Sequence, residues 1–169
     1  MAQITLKGNP INSCGDIPAA GSAAPAFNLC GADLSEQTLA AFAGKNVILN
    51  IVPSFDTPTC ATSVKTFNTK AGELGDTQIV NVSADLPFAQ KRFCGEHNVE
   101  YVTNLSCFRS PEFGQAYGTT LIDGPLLGLQ CRAIVVINPE GQVVHSELVP
   151  EIADEPNYDA AISACKQTA

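Results

Sequence analysis

Basic residues are scarce in this chain. Nine lysines and arginines face 17 acids across 169 residues, a formal charge of −8, and only 15% of the residues are charged at all. A surface this acidic argues against nucleic acid or an anionic membrane as a partner. Low charge with 45% apolar residues excludes a disordered chain. No uncharged apolar run approaches the roughly 18 residues that cross a bilayer. The start, Met1-Ala2-Gln3-Ile4-Thr5-Leu6-Lys7, lacks a basic segment followed by an apolar stretch, so no secretory signal is visible and a cytoplasmic protein is expected. A mature chain whose signal had been removed would read the same way, which leaves the periplasm as the alternative.

Other absences narrow the chemistry. No two of the seven cysteines lie closer than 13 positions, which removes the Cys-x-x-Cys pair of a dithiol oxidoreductase. The two histidines, His97 and His145, stand alone, without the clustered ligands of a zinc site or a motif marking the base of a cysteine hydrolase. Gly124-Pro125-Leu126-Leu127-Gly128 lacks the lysine and helix that would make it a phosphate loop. No metal or cofactor is expected. Cysteine content, about 4%, is well under the roughly 8–10% of a disulfide scaffold, and a chain of this length buries enough surface to fold without staples.

What is present is an alternation of strand and helix signals over one expected domain, 1–169. Ile4-Thr5-Leu6-Lys7 and Ile11-Asn12-Ser13 flank Gly8-Asn9-Pro10 and predict a hairpin. Ala26–Cys30 reads as a short strand, and Leu34–Phe42 carries helix-period apolar residues after the cap candidate Asp33. Asn46–Val52 is nearly all apolar and β-branched, a strand buried on both faces that ends at Pro53. Thr57 and Pro58 then open a helix with Val64, Phe67, Ala71 and Leu74 along one side. Gln78–Ser83 is a second core strand, and Asp85 is placed to cap a helix from Pro87 to about His97. Cys131–Ile137 and Gln142–Leu148 form a hairpin around Asn138-Pro139-Glu140-Gly141, and a closing helix runs from Pro156 to about Lys166. The pattern predicts an α/β protein with a mixed central sheet.

Among the cysteines, Cys60 falls three residues after Thr57 in the first helical turn. Unpaired backbone N–H groups and the positive end of the helix dipole there favour a thiolate. Pro53 and Pro58 restrict the loop around it. The plain alternative is a small buried apolar residue.

Pro53-Ser54-Phe55-Asp56-Thr57-Pro58-Thr59-Cys60 fits the Pro-x-x-x-Thr/Ser-x-x-Cys motif of peroxiredoxins, and the chain resembles their thiol peroxidase subfamily, the bacterial atypical two-cysteine type. The similarity continues through Ser83-Ala84-Asp85-Leu86-Pro87-Phe88-Ala89-Gln90, Arg92-Phe93-Cys94, Gly124-Pro125-Leu126, Gly128-Leu129 and Arg132, over essentially the whole chain.

The resemblance implies a thioredoxin-like fold with an added N-terminal β-hairpin and helices flanking the sheet. It implies that Cys60 attacks a peroxide, either hydrogen peroxide or an organic hydroperoxide, and becomes a sulfenic acid. Thr57, Arg132 and backbone N–H groups would orient the peroxide, with Pro53 shaping its pocket. Cys94 would resolve the sulfenic acid as an intramolecular Cys60–Cys94 disulfide, after partial unwinding of one or both helix ends, and thioredoxin would reduce it. For Arg132 a salt bridge at a strand start is the simpler reading, and for Cys94 an inert thiol. Cys14, Cys30, Cys107, Cys131 and Cys165 read as structural. A homodimer is implied, with Phe88, Phe108, Phe113, Tyr117 and Leu126 as candidates for its interface, for the pocket or for the core. A redox switch or chaperone-like binding protein that oxidises Cys60 without turnover is the non-enzymatic alternative.

Overall fold

The computed structural model describes residues 1–168; Ala169, the last residue of the expected domain, lies outside them. Among the described residues, nine strands and four α-helices form the fold. A two-stranded hairpin, β1 (Gln3–Leu6) and β2 (Asn9–Asn12), precedes a seven-stranded sheet in the order β4-β3-β7-β6-β5-β8-β9. These strands are β3 (Asn28–Cys30), β4 (Glu36–Thr38), β5 (Val47–Ile51), β6 (Gln78–Ser83), β7 (Thr103–Ser106), β8 (Ala133–Ile137) and β9 (Val143–Leu148). The helices are α1 (Pro58–Ala71), α2 (Pro87–His97), α3 (Pro111–Tyr117) and α4 (Tyr158–Gln167). Strands β5, β6 and β7 run parallel, while β8, β9, β3 and β4 join antiparallel, so the sheet is mixed and the architecture thioredoxin-like, as expected.

The β-branched run at β5 and the Ala-Ile-Val-Val-Ile run of β8 are buried at every position, which requires cover on both faces of the sheet. On one face Leu49, Ile51, Val80 and Val135 pack with Phe27, Phe113 and Tyr117. On the other, Ile48, Ile79, Ile134 and Val136 pack with Phe67 of α1 and Ala161 of α4. Phe113 and Tyr117 are therefore core residues, stacked with ring centroids 4.7 Å apart, whereas Phe88 and Phe108 are exposed.

Four expectations are corrected. The hairpin turn is Lys7-Gly8, with φ of 51° and 79°, and Pro10 lies within β2 opposite Thr5. Two consecutive positive φ values match the twist of a tight hairpin, and glycine supplies one at no steric cost. Leu34–Phe42 is not a helix: Asp33 Oδ1 accepts from the Ser35 N–H at 3.0 Å in a local turn, β4 follows, and only Leu39–Phe42 coils, as a 3-10 turn. Asp85 does not cap α2, whose N-cap is Leu86 with no side-chain cap bond. The closing helix begins two residues later than Pro156, where Asn157 accepts from the Ala160 N–H at 3.0 Å. No helix among the described residues is long and apolar enough to cross a membrane.

Candidate active site

Pro58 at the start of α1 puts Cys60 in the helix's first turn, where it is fully buried. Thr57 is the N-cap residue, but its hydroxyl donates to the Ser54 carbonyl at 3.2 Å instead of capping, so the first-turn N–H groups have no side-chain acceptor. The loop before the helix is held by Asp85. Its carboxylate accepts from the Ser54 hydroxyl at 2.7 Å, the Phe55 N–H at 2.8 Å and the Ser83 hydroxyl at 2.7 Å. Sequence reasoning gave Asp85 a helix cap; the loop clamp arises because β5 and β6 are adjacent and parallel, so their C-terminal loops meet.

Arg132, just before β8, extends to the same point. It is 2% exposed, its Nη2 donates to Cys60 Sγ at 3.3 Å and its Nε to the Ile152 carbonyl at 2.9 Å, while Nη1 has no protein partner. Among the described residues Arg132 has no carboxylate partner, which removes the salt-bridge reading. Burying a cation without a counter-charge is costly, and the Cys60 sulfur and the Ile152 carbonyl are the acceptors this guanidinium meets. Its open N–H is a donor left available to another group.

The hairpin supports this arrangement from outside. Glu151 accepts from the Lys7 N–H at 2.9 Å, the Gly8 N–H at 3.0 Å and the Thr5 hydroxyl at 2.8 Å, and the Ile152 N–H donates to the Thr5 carbonyl at 2.9 Å. Those bonds, the Gly8 N–H foremost, draw the Glu151 carboxyl down to about 2. The carbonyl that orients Arg132 is thereby fixed by the first strand of the chain.

A pocket of about 370 Å³ opens here, walled by Leu6, Leu126 and Ile152 with Pro53, Thr57 and Arg132. Thr57, Pro53 and Arg132 thus come together, and Cys60 lies behind them. Cys94, on α2, is half-buried and packs against the apolar cluster of Phe55, Cys60, Val64, Phe93 and Val99. Both cysteines are free thiols. Burial pushes the Cys94 thiol above its ordinary range, partly offset by an N–H donated from Asn104 at 3.1 Å.

The remaining thiols lack such surroundings. Burial raises Cys107 and Cys131 to about 12 and Cys165 to about 11, which keeps them protonated at neutral pH. Cys14 donates to the Gly114 carbonyl at 3.2 Å. Cys30 is buried in β3. No cluster of three histidine, cysteine or carboxylate side chains that could hold a metal occurs among the described residues.

Comparison with known proteins gives the family. The Redoxin family model matches residues 19–162. The thiol peroxidases of Mycobacterium tuberculosis and Mycobacterium bovis are each 58% identical over 164 residues, covering 97% of this chain and 98% of theirs. A peroxiredoxin-like protein from Aquifex aeolicus superposes with a TM-score of 0.94 at 37% identity, covering 100% of this chain and 98% of its own. A thiol peroxidase from Chromobacterium violaceum shares the fold with a TM-score of 0.90 at 20% identity, over 98% of this chain and 95% of its own. The chain belongs to the Redoxin family and, within it, to the thiol peroxidase group of peroxiredoxins.

Proposed function

We propose that the chain is a thiol-dependent peroxidase in which Cys60 and Cys94 are the redox pair. The observation that carries this reading is the Arg132 Nη2 donating to Cys60 Sγ at 3.3 Å, with Nη1 buried and without a partner, in a residue that also lines the pocket. Cys60 thiolate attacks the terminal oxygen of a peroxide; the S–O bond forms as the O–O bond breaks, and the departing oxygen takes a proton to leave as water or an alcohol. Charge on that oxygen is stabilised by Arg132 and the Thr57 hydroxyl, and Pro53 keeps the wall in place. Cys94 then attacks the Cys60 sulfenic sulfur: the S–S bond forms, the S–O bond breaks, and hydroxide leaves to become water. A dithiol protein of the thioredoxin type reduces the disulfide and restores both thiols. The apolar walls Leu6, Leu126 and Ile152 suit organic hydroperoxides as well as hydrogen peroxide.

Residues 1–169 act in this reading as one domain in the cytoplasm, and a homodimer covers exposed Phe88 and Phe108. Sedimentation of the purified chain tests the dimer. The activity is tested by peroxide consumption with thioredoxin, its reductase and NADPH. Turnover with either hydrogen peroxide or an organic hydroperoxide is expected; Cys60→Ser abolishes it, and Cys94→Ser allows one oxidation without recycling. Oxidation of Cys60 without turnover in the unaltered chain would return the function to a redox switch.

A further inference from the structure

The face of the sheet beneath α1 and α2 carries a line of amides, Asn50 and Asn81 buried and Asn104 partly so. Asn50 of β5 is in register with Asn81 of β6, and Asn81 with Asn104 of β7, so all three side chains emerge on one face at the same level. Asn50 Nδ2 donates to Asn81 Oδ1 at 2.8 Å, and Asn81 Nδ2 donates to Asn104 Oδ1 at 2.9 Å. Asn104 Nδ2 then donates to Cys94 Sγ at 3.1 Å. At the other end Asn50 Nδ2 donates to Ser63 Oγ at 3.4 Å, and the Ser63 hydroxyl donates to the Cys60 carbonyl at 3.0 Å. A continuous chain of hydrogen bonds joins the two redox cysteines through the sheet.

Its direction follows from chemistry. The Cys60 carbonyl only accepts, so the Ser63 hydroxyl spends its proton there and must accept from Asn50. That turns the Asn50 amide so that Nδ2 also faces Asn81, and each following amide is turned in the same sense. The chain therefore ends with an N–H, not a carbonyl, aimed at Cys94. Apolar side chains would fill this face without leaving Asn50 Oδ1 buried and unpartnered, as it is.

We propose that Asn104 is a positioning residue for resolution: aimed by Asn50 and Asn81, its Nδ2 holds Cys94 Sγ and stabilises that sulfur as the anion that attacks the Cys60 sulfenic acid. The proposal rests on the peroxidase reading given above. Burial alone works against a Cys94 thiolate, and the Asn104 N–H is the group that opposes it. Because Asn104 lies on a central strand and Cys94 on a helix that must release it, the same bond is a tether that breaks as the disulfide forms.

Asn104→Asp keeps an oxygen for Asn81 Nδ2 to donate to and removes the N–H toward Cys94. In a Cys60→Ser background, site-resolved alkylation of Cys94 against pH should shift its midpoint up by about one unit, a tenfold loss of thiolate at neutral pH. With Cys60 intact, disulfide formation after one equivalent of hydrogen peroxide should slow about tenfold at neutral pH, and less at alkaline pH. Asn104→Val, which suits a strand and carries no donor, should shift the alkylation midpoint in the same direction. A purely structural Asn104 would lower the melting temperature of both variants without moving the midpoint. Folded Asn104→Asp or Asn104→Val protein with the parent's midpoint and rate overturns the proposal and leaves the peroxidase reading standing. If Cys94→Ser resolves as fast as the parent, the reading beneath it fails instead.

Discussion

Arg132 and Cys60 lie 72 positions apart in the chain and meet at 3.3 Å between Nη2 and Sγ, with no carboxylate among the described residues sharing the guanidinium. In the proposed reaction Arg132→Ala removes both the partner of the Cys60 sulfur and a donor for the departing oxygen. The rate of Cys60 oxidation, followed by stopped flow at limiting peroxide, should fall about 10²–10³-fold, as when a charge-stabilising donor is lost elsewhere. Reduction of the preformed disulfide by thioredoxin should stay close to the parent rate. Arg132→Lys should recover only part of the loss, because an ammonium cannot donate to the Ile152 carbonyl and the sulfur in one plane. An unchanged peroxide rate in Arg132→Ala would remove it from the reaction.

Gly95 follows Cys94 in α2, and a Cβ there would meet nothing within 4 Å. Its φ is not positive, so Gly95→Ala is compatible with the folded helix and stabilises it by about 1 kcal/mol. If α2 must unwind for Cys94 to reach Cys60, the same substitution should slow disulfide formation while raising the melting temperature. Mass spectrometry should then find more Cys60 sulfinic acid at excess peroxide, since the sulfenic acid waits longer.

Asp85 holds the Pro53–Thr57 loop through Ser54, Phe55 and Ser83. Asp85→Ala leaves the Phe55 N–H without its acceptor and should cost about 2–3 kcal/mol, read from urea unfolding. Peroxide reactivity should fall with it, because the Thr57 end of the loop loses its anchor. Phe113→Ala, on the opposite core face, should cost about 3–5 kcal/mol and leave the peroxide rate per folded molecule near the parent value.

Glu151 links pH to the hairpin. Its folded carboxyl lies near 2, below its ordinary 4.5, so its contribution is present above about 4.5 and is lost as pH falls toward 2. The protection factors of the Lys7 and Gly8 amides, taken against intrinsic exchange at each pH, should fall across that window. In Glu151→Gln the exchange should already be fast at neutral pH and show no such acid transition. Identical acid profiles for parent and variant would show that the carboxylate does not hold the turn.

Much of the fold was legible locally. The apolar run of β5 announces a strand buried on both faces, and Thr57-Pro58 and Pro87 mark where α1 and α2 begin. Strand β7 was not legible, because Thr103-Asn104-Leu105-Ser106 has one apolar side chain and owes its place to pairing with Ser83 and its neighbours. Helix α3, seven residues long with no side-chain cap, is held by Phe113 and Tyr117 packing on Phe27 rather than by its own signal. One available signal was passed over: Asn50, a polar residue inside an otherwise apolar buried strand, marks a partner that strand order alone reveals.

By itself, then, the sequence determined the alternating elements, the position of Cys60 in the first turn of a helix, and the scarcity of basic residues along the chain. Periodicity and capping act over a few residues, so a few residues suffice to read them. Only the tertiary structure decided which of three arginines faces the sulfur, that Asp85 clamps a loop instead of capping a helix, and that an asparagine line connects Cys60 to Cys94. Those pairings depend on strand order and register, which bring together groups far apart in the chain, and no local pattern encodes a partner that the sheet has yet to choose.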